Sequence, residues 1–324
     1  METRRSVLVV GSGPAGLSAA LWLKNLGLEP VVIETADRAG GLQNLNFLAN
    51  EWVLGQRGLT GPELAARFVA HGAAEGIRLL TNCGLQGVAK ERDLFRARLR
   101  QADGGDSVMV CAALLLATGT RYRATEVLAD VAGIEGISPG RVLYGPWAFA
   151  LPERTAGGRV LIVGGGDNAF ENARRLLDRD AEVIMALRSP PRAQKALLDA
   201  VLGRERCRPL QPAVLSALAE AADGLAASVD TPKGRQTVVV DRVHVLAGYE
   251  ANSRVIAAAL APELSAAIAL DAKGYVVTDP ACRTGADGIY AAGDLCNPLF
   301  PSVVSAIAQG ALAAKTIEFD LRQA

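Results

Sequence analysis

The sequence predicts an α/β fold of two parallel-sheet units, and three observations carry that prediction. The apolar run Val7-Leu-Val-Val10 passes directly into Gly11-x-Gly13-x-x-Gly16 and then into a helical pattern of Leu17, Ala20, Leu21 and Leu23. A second apolar run, Val31-Val-Ile33, ends on the carboxylate of Glu34, about twenty residues past the glycines. The pattern then restarts. Arg159-Val-Leu-Ile-Val163 enters Gly164-x-Gly166-x-x-Ala169, with Asp167 and Asn168 inside the turn, a helix at 170–177 and a strand at 182–187. A strand that ends in a glycine turn and opens a helix begins a βαβ unit, and its repetition means two such units.

The turn residues have separate steric tasks. Gly11 permits the tight turn, Gly13 lets the backbone approach a pyrophosphate, and Gly16 lets helix and strand pack closely. Ser12, Pro14 and Ala15 complete the turn. The helix N-terminus offers free N–H groups and partial positive charge to phosphates. Glu34 stands where a ribose hydroxyl needs an acceptor. Two dinucleotide folds in one chain suggest two dinucleotides.

Between the repeats, Gly40-Gly-Leu-Gln-Asn44 reads as a loop and residues 61–70 as a helix with Pro62 in its first turn and Leu64, Phe68 and Val69 on one face. Strands are expected around 77–81, 84–90, 94–100 and 107–111, with a hairpin turn at 101–106, and Leu114-Leu-Leu-Ala-Thr-Gly119 as a buried strand ending in a turn. The run from Leu197 to Leu225 reads as mostly helix and loop. Val238–Val240 and Val243–Gly248 read as strands returning toward the first domain. His244 alternates with valines and is expected to be a satisfied structural histidine; His71, on a polar helix face, carries no chemistry.

With Lys plus Arg and Asp plus Glu both at 34, the net charge is zero, and nothing favours nucleic acid or an acidic membrane surface as partner. The longest apolar runs, such as residues 112–117, are far short of a bilayer span. The first strand starts too early for a signal peptide, which predicts a cytoplasmic protein. Five dispersed cysteines (83, 111, 207, 282 and 296) form no Cys-x-x-Cys, no metal is expected, and they read as reduced thiols.

Together these motifs resemble the low-molecular-weight thioredoxin reductases, within the two-dinucleotide flavoprotein reductases, over nearly the whole chain. Gly11–Gly16 with Glu34 is similar to that family's FAD pyrophosphate and ribose site, and Gly40-Gly41-Leu-Gln43 to its loop under the flavin. Gly55-x-x-Gly58-Leu-Thr-Gly-Pro-Glu-Leu64 matches the segment opening its second helix; Leu85 stands where its backbone meets the adenine. Ala117-Thr118-Gly119 matches the exit from the FAD domain. Gly288-Ile-Tyr-Ala-Ala-Gly293-Asp294 resembles its second FAD motif, whose Asp bonds the ribityl chain, and Ser302-Val303 begins a segment resembling the helix that points its N-terminus at the flavin.

Three departures shape the expected function. The family's redox Cys-x-x-Cys lies just ahead of the second glycine turn, and its ungapped counterpart here is Trp147-Ala-Phe-Ala150, without a thiol. The family's 2′-phosphate-reading arginines have Arg188 and Arg192 as counterparts, with Arg192 one place short and Lys195 nearby. No acid ends the preceding strand, so the lean is to NADPH, with NADH or no nicotinamide nucleotide left open. The Arg-Gln that precedes the family's final helix is Pro301-Ser302. Cys296, two residues after Asp294, is either a small structural thiol or a thiol beside the flavin.

The expected architecture is therefore α/β, with two Rossmann-like, three-layer ββα dinucleotide-binding domains as in thioredoxin reductase. The FAD domain is expected at 1–118 plus 246–324, and the nicotinamide-nucleotide domain at 119–245, with a hinge at the crossings. The expected function is an FAD-dependent oxidoreductase that takes electrons from NAD(P)H and hands them to an external acceptor: a ferredoxin-like protein, a quinone, oxygen or a small disulfide. Ferredoxin–NADP reductases also lack the cysteine pair but carry a C-terminal extension over the flavin, whereas this sequence stops at Ala324. Two alternatives stand beside it: a flavin-binding redox sensor or subunit without nucleotide turnover, and a flavin-dependent oxidase of a small thiol. The resemblance also implies a homodimer.

Overall fold

A computed structural model describes residues 5–46, 49–145 and 157–323. Trp147–Ala150, the counterpart of the redox pair, lies outside them. The chain divides into two compact units, residues 1–121 with 250–324 and residues 122–249. The sequence reading set the divisions three to four residues earlier at each crossing.

In the first unit the chain runs β1 (Ser6–Val10), α1 (Pro14–Asn25), β2 (Glu29–Ile33), α2 (Gly61–Ala74), β3 (Arg78–Leu80), β4 (Cys83–Glu91), β5 (Leu94–Gln101), β6 (Asp106–Cys111), β7 (Ala113–Leu116) and β8 (Thr120–Tyr122). The second unit adds β9 (Val142–Tyr144), β10 (Arg159–Val163), α3 (Asp167–Leu177), β11 (Glu182–Ala186), α4 (Lys195–Val201), β12 (Cys207–Leu210), β13 (Val214–Ala221), β14 (Gly224–Thr231), β15 (Gly234–Val240) and β16 (Arg242–Val245). The return crossing is β17 (Tyr249–Ala251). It is followed by α5 (Ser253–Ala259), α6 (Pro262–Ala267), β18 (Ile289–Ala291) and α7 (Val303–Gln323).

Each unit is built on a parallel sheet, in the order β18-β7-β1-β2-β3 in the first and β12-β11-β10-β16-β9 in the second. A three-stranded antiparallel sheet belongs to each: β4-β5-β6 and β13-β14-β15. Buried on both faces, the central strands read as unbroken apolar runs rather than as alternation. In β1, Leu8 and Val10 enter a core with the antiparallel sheet residues Val88, Phe95 and Leu99. Val7 and Val9 enter a second core with Ala19, Leu23, Ala313 and Ile317 of α1 and α7. In β10, Leu161 faces the antiparallel-sheet side, while Val160 and Ile162 face Phe170, Ala173 and Leu176 of α3.

Two expectations are corrected. Only about half of the run from Leu197 to Leu225 is helix and loop: after the short α4 it also forms β12, β13 and the start of β14, which the sequence reading did not expect. Alanines in Val214-Leu-Ser-Ala-Leu-Ala-Glu-Ala221 favour helix locally, yet the strand pairs antiparallel with β14 around a two-residue turn closed by Gly224 at φ +135°. Secondly, the strands at 238–248 do not return to the first domain. Val238–Val240 ends β15, and Val243–Val245 lies in β16, paired in parallel with β10 and β9 inside the second unit.

Candidate functional site

In the first unit the candidate residues gather at the carboxyl edge of the parallel sheet, where ligands bind in open α/β sheets. Val10 is paired with Ile33 and with Leu116, and Leu116 with Ala291. The residues that follow these four strand ends therefore lie side by side: Gly11, Glu34, Ala117-Thr118-Gly119 and Gly293-Asp294.

Sterics fix the first turn. Gly11 sits at φ +106°, and a Cβ there would lie 2.4 Å from the Ala117 carbonyl oxygen; one on Gly16 would lie 2.0 Å from the Gly11 carbonyl oxygen. Around Gly13, by contrast, no atom comes within 4 Å of where a Cβ would stand, which leaves room for a ligand against the backbone. Pro14 opens α1, whose N-terminus carries no side-chain cap, and Ala15 is buried beneath it. Gly41 packs on this turn, its Cβ position 3.1 Å from the Gly13 Cα, and Gly40 donates its N–H to the Ser12 carbonyl at 3.1 Å.

Glu34 is held rather than free. Its carboxylate accepts from the Ser12 N–H (3.1 Å), the Ser12 Oγ (2.7 Å) and the Ala36 N–H (3.0 Å). Its carbonyl accepts the Cys83 N–H at 2.8 Å, which brings the start of β4 alongside. Leu85, on β4, packs its side chain against the core, so only its backbone is offered outward.

The buried polar atoms that find no partner among the described residues include Gln43 Oε1, Thr118 Oγ1 and Asp294 Oδ1. Burial lifts the Asp294 carboxyl to about 6, against the opposing pull of the Ser302 backbone N–H. Each such orphan costs of the order of 1–3 kcal/mol unless something bonds it. All three belong to segments that the sequence singles out for FAD. The residues thus fit the group: open glycine backbone for a pyrophosphate, a fixed carboxylate for a ribose, and unpaired acceptors for hydroxyls.

The α7 side of the site is assembled by close packing. Ser302 accepts the Ser305 N–H at 3.1 Å and so caps α7, whose first residue is Val303. Gln309 Oε1 accepts the Gly293 N–H at 2.9 Å and fixes the turn carrying Asp294. Sequence reasoning missed Gln309, although an amide within the apolar, Ala-rich first half of the helix was the available signal. The Cys296 thiol lies 3.5 Å from the Gly293 carbonyl and 3.9 Å from Gln309 Oε1, and burial pushes it up to about 12. Such a thiol is a packing group, not a ready nucleophile.

In the second unit, Gly164 sits at φ +144° with its Cβ position 2.2 Å from the Leu246 carbonyl, while nothing lies within 4 Å of a Cβ on Gly166. Gly166 precedes α3 without a side-chain cap. Both polar side chains of the first helical turn are engaged elsewhere. The Asp167 carboxylate accepts the Gln194 N–H (2.7 Å) and Nε2 (3.2 Å), and Asn168 Nδ2 donates to Tyr249 Oη (2.5 Å). Ala169 is buried. Arg192 donates its backbone N–H to the Gly165 carbonyl at 2.8 Å, which folds the loop after β11 over the glycine turn. The side chains of Arg188 and Arg192 are exposed, whereas Lys195 is paired with Asp199 at 2.7 Å.

His244 corrects a further expectation. It is fully buried on β16, but neither ring nitrogen finds a partner among the described residues, so it is structural without being satisfied. Burial, then Arg242, pushes it down to about 4. Strand alternation placed it inside but carries no information about partners. Among the described residues no three His, Cys, Asp or Glu side chains cluster to hold a metal, and no helix is long and apolar enough to cross a membrane.

Residues 5–310 match the family described as pyridine nucleotide-disulphide oxidoreductase. The chain is 28% identical over 97% of its length to the thioredoxin reductase of Treponema pallidum, covering 96% of that protein. It is also 28% identical, over 97% of its length, to the bifunctional thioredoxin reductase/thioredoxin of Mycobacterium leprae, and spans 65% of that longer protein. In fold it resembles the crystal structure of Lactococcus lactis thioredoxin reductase (FR conformation), with a TM-score of 0.84 at 21% identity, covering 99% of this chain and 100% of that one.

Proposed function

The chain belongs to the pyridine nucleotide-disulphide oxidoreductase family, and from that premise we propose that it is an FAD-dependent oxidoreductase passing electrons from NADPH to an external acceptor without an internal disulfide. The observation that carries this reading is the set of orphaned acceptors, Gln43 Oε1, Thr118 Oγ1 and Asp294 Oδ1, around a glycine turn with open space at Gly13. Bound FAD supplies two-electron chemistry at its ring system.

The chain's residues bind and tune. Backbone N–H groups at Gly11–Gly16 and the start of α1 receive the pyrophosphate. Glu34, pre-set by Ser12 and Ala36, accepts hydrogen bonds from the ribose hydroxyls. Asp294 accepts from the ribityl chain, and Gln309 keeps its turn in register. The capped N-terminus of α7, at Ser302 and Val303, favours negative charge placed before it. In the second unit Gly164, Gly166 and Ala169 form the turn for the nicotinamide nucleotide. Arg188 and Arg192, exposed beside that turn where β11 ends without an acid, would recognise a 2′-phosphate.

No two cysteines are separated by two residues, which supports electron delivery to something other than an internal pair. A second reading, a flavin-binding sensor without nucleotide turnover, draws on the engagement of Asp167 and Asn168 by Gln194 and Tyr249. One experiment separates the two. NADPH or NADH is added anaerobically to the FAD-loaded protein while flavin absorbance is followed at about 450 nm. Bleaching within seconds supports the reductase; persistent colour with both nucleotides refutes it in favour of the sensor.

A further inference from the structure

The two residues at which the chain enters and leaves the second unit, Tyr122 and Tyr249, are tied to each other and to the nucleotide turn. Tyr249 Oη donates to Tyr122 Oη at 2.9 Å, and the two rings lie 4.4 Å apart, tilted by 38°. Tyr249 Oη in turn accepts from Asn168 Nδ2 at 2.5 Å. Tyr122 is on β8 and Tyr249 on β17, the pair of strands that carry both crossings. The Tyr122 ring also lies 3.0 Å from where a Cβ on Gly145 would stand. Burial, and then Tyr249, raise the Tyr122 phenol far above its ordinary value, so it stays protonated and hydrogen-bonded.

Asn168 is the second residue of α3, in the turn where that helix presents its uncapped N–H groups. A phosphate arriving there is an ionised acceptor and competes better for the amide than a phenol does. We infer that Asn168 is a switch residue: in the free protein its amide is held by Tyr249, a nicotinamide dinucleotide draws it onto a phosphate, and the Tyr249–Tyr122 pair at the crossings loosens in consequence. The inference rests on the proposal that this turn binds a nicotinamide nucleotide. Linkage makes it reciprocal: whatever strengthens the tyrosine pair's hold on Asn168 weakens nucleotide binding by the same factor.

The signature is a gain of affinity on removing a contact. Tyr249→Phe keeps the ring packing but frees the Asn168 amide, and it should tighten NADPH binding about threefold to tenfold by calorimetry, one hydrogen bond being worth up to about a factor of ten. Amide hydrogen exchange should rise on NADPH binding in peptides covering 119–124 and 247–252 of the natural protein. In Asn168→Ala those peptides should exchange fast from the start and no longer respond. A merely structural role predicts lower melting temperature for Tyr249→Phe with unchanged or weaker NADPH binding, and that result overturns the switch. Binding to the natural protein with no exchange response at either crossing also overturns it, while leaving the reductase reading intact. No NADPH binding by either protein overturns both.

Discussion

Protein stripped of FAD should gain stability from Asp294→Asn, and gain more of it at high pH. Burial lifts this carboxyl to about 6, roughly two units above the ordinary aspartate value of about 3.9. An acid whose folded-state pKa is raised is best accommodated while protonated. Its contribution is fully present below the unfolded value and is lost as pH rises through about 6. At about 1.36 kcal/mol per unit, the ionised carboxylate costs the stripped protein up to about 3 kcal/mol at about pH 8 and about 1 kcal/mol at about pH 4.5. The neutral amide carries none of this. The stabilisation by Asp294→Asn should therefore be about 2 kcal/mol larger at the higher pH, or about 4–8 °C in melting temperature for a unit of this size. Circular dichroism melts at the two pH values measure it. The same substitution removes an ionised acceptor, so FAD affinity should fall about tenfold to a hundredfold in a fluorescence titration. An equal gain at both pH values refutes the argument, because it would mean that Asp294 is solvated in the folded protein.

Glu34→Gln keeps one acceptor oxygen but loses the charge-assisted bonds from Ser12 and Ala36. FAD should dissociate about tenfold more readily, checked by equilibrium titration, and unchanged affinity would remove Glu34 from the ribose site. Gly310→Ala places a methyl 2.2 Å from the Ala15 carbonyl oxygen, between α7 and α1. Helix propensity alone favours Ala by about 1 kcal/mol, whereas overpacking costs about 1–3 kcal/mol; a lower melting temperature together with weaker FAD binding is expected, and a higher one refutes the packing. His244→Leu should flatten the acid limb of the stability curve. A histidine held at about 4 is fully stabilising above its unfolded value of about 6.5, and that stability, about 3 kcal/mol, is lost as pH falls toward the folded value. Denaturant midpoints at about pH 7 and about pH 4.5 read the difference.

Residues with local reasons for their conformation were legible in sequence. Gly11, Gly13 and Gly16 each answer a steric demand within a few residues, and Glu34 ends a strand whose pairing with β1 is fixed by apolar runs. The central strands were visible because two packed faces require apolar residues at every position. The Ala-rich β13 was not visible. Its strand form comes from pairing with β14 and from the Gly224 turn, while its local preference is helical. Contacts made across long sequence separations were also hidden, Gln309 to Gly293 and Asn168 to Tyr249, as was the lack of a partner for His244 among the described residues. No periodicity encodes which distant group a side chain meets.

Asp294 and His244 give the two units opposite acid–base behaviour. Asp294 lies in the first unit and His244 in the second. Lowering pH from about 7 to about 4.5 relieves the buried carboxylate in one unit and penalises the buried imidazole in the other, by about 2–3 kcal/mol each. These two terms nearly cancel while their distribution shifts: His244 weakens the second unit as Asp294 strengthens the first. With FAD bound as proposed, donors from the ribityl chain would favour the ionised carboxylate and reverse the first term only. Hydrogen exchange across the two units, with and without FAD, resolves the terms. Protection that moves in parallel in both units as pH falls is incompatible with two independently buried groups of opposite sign.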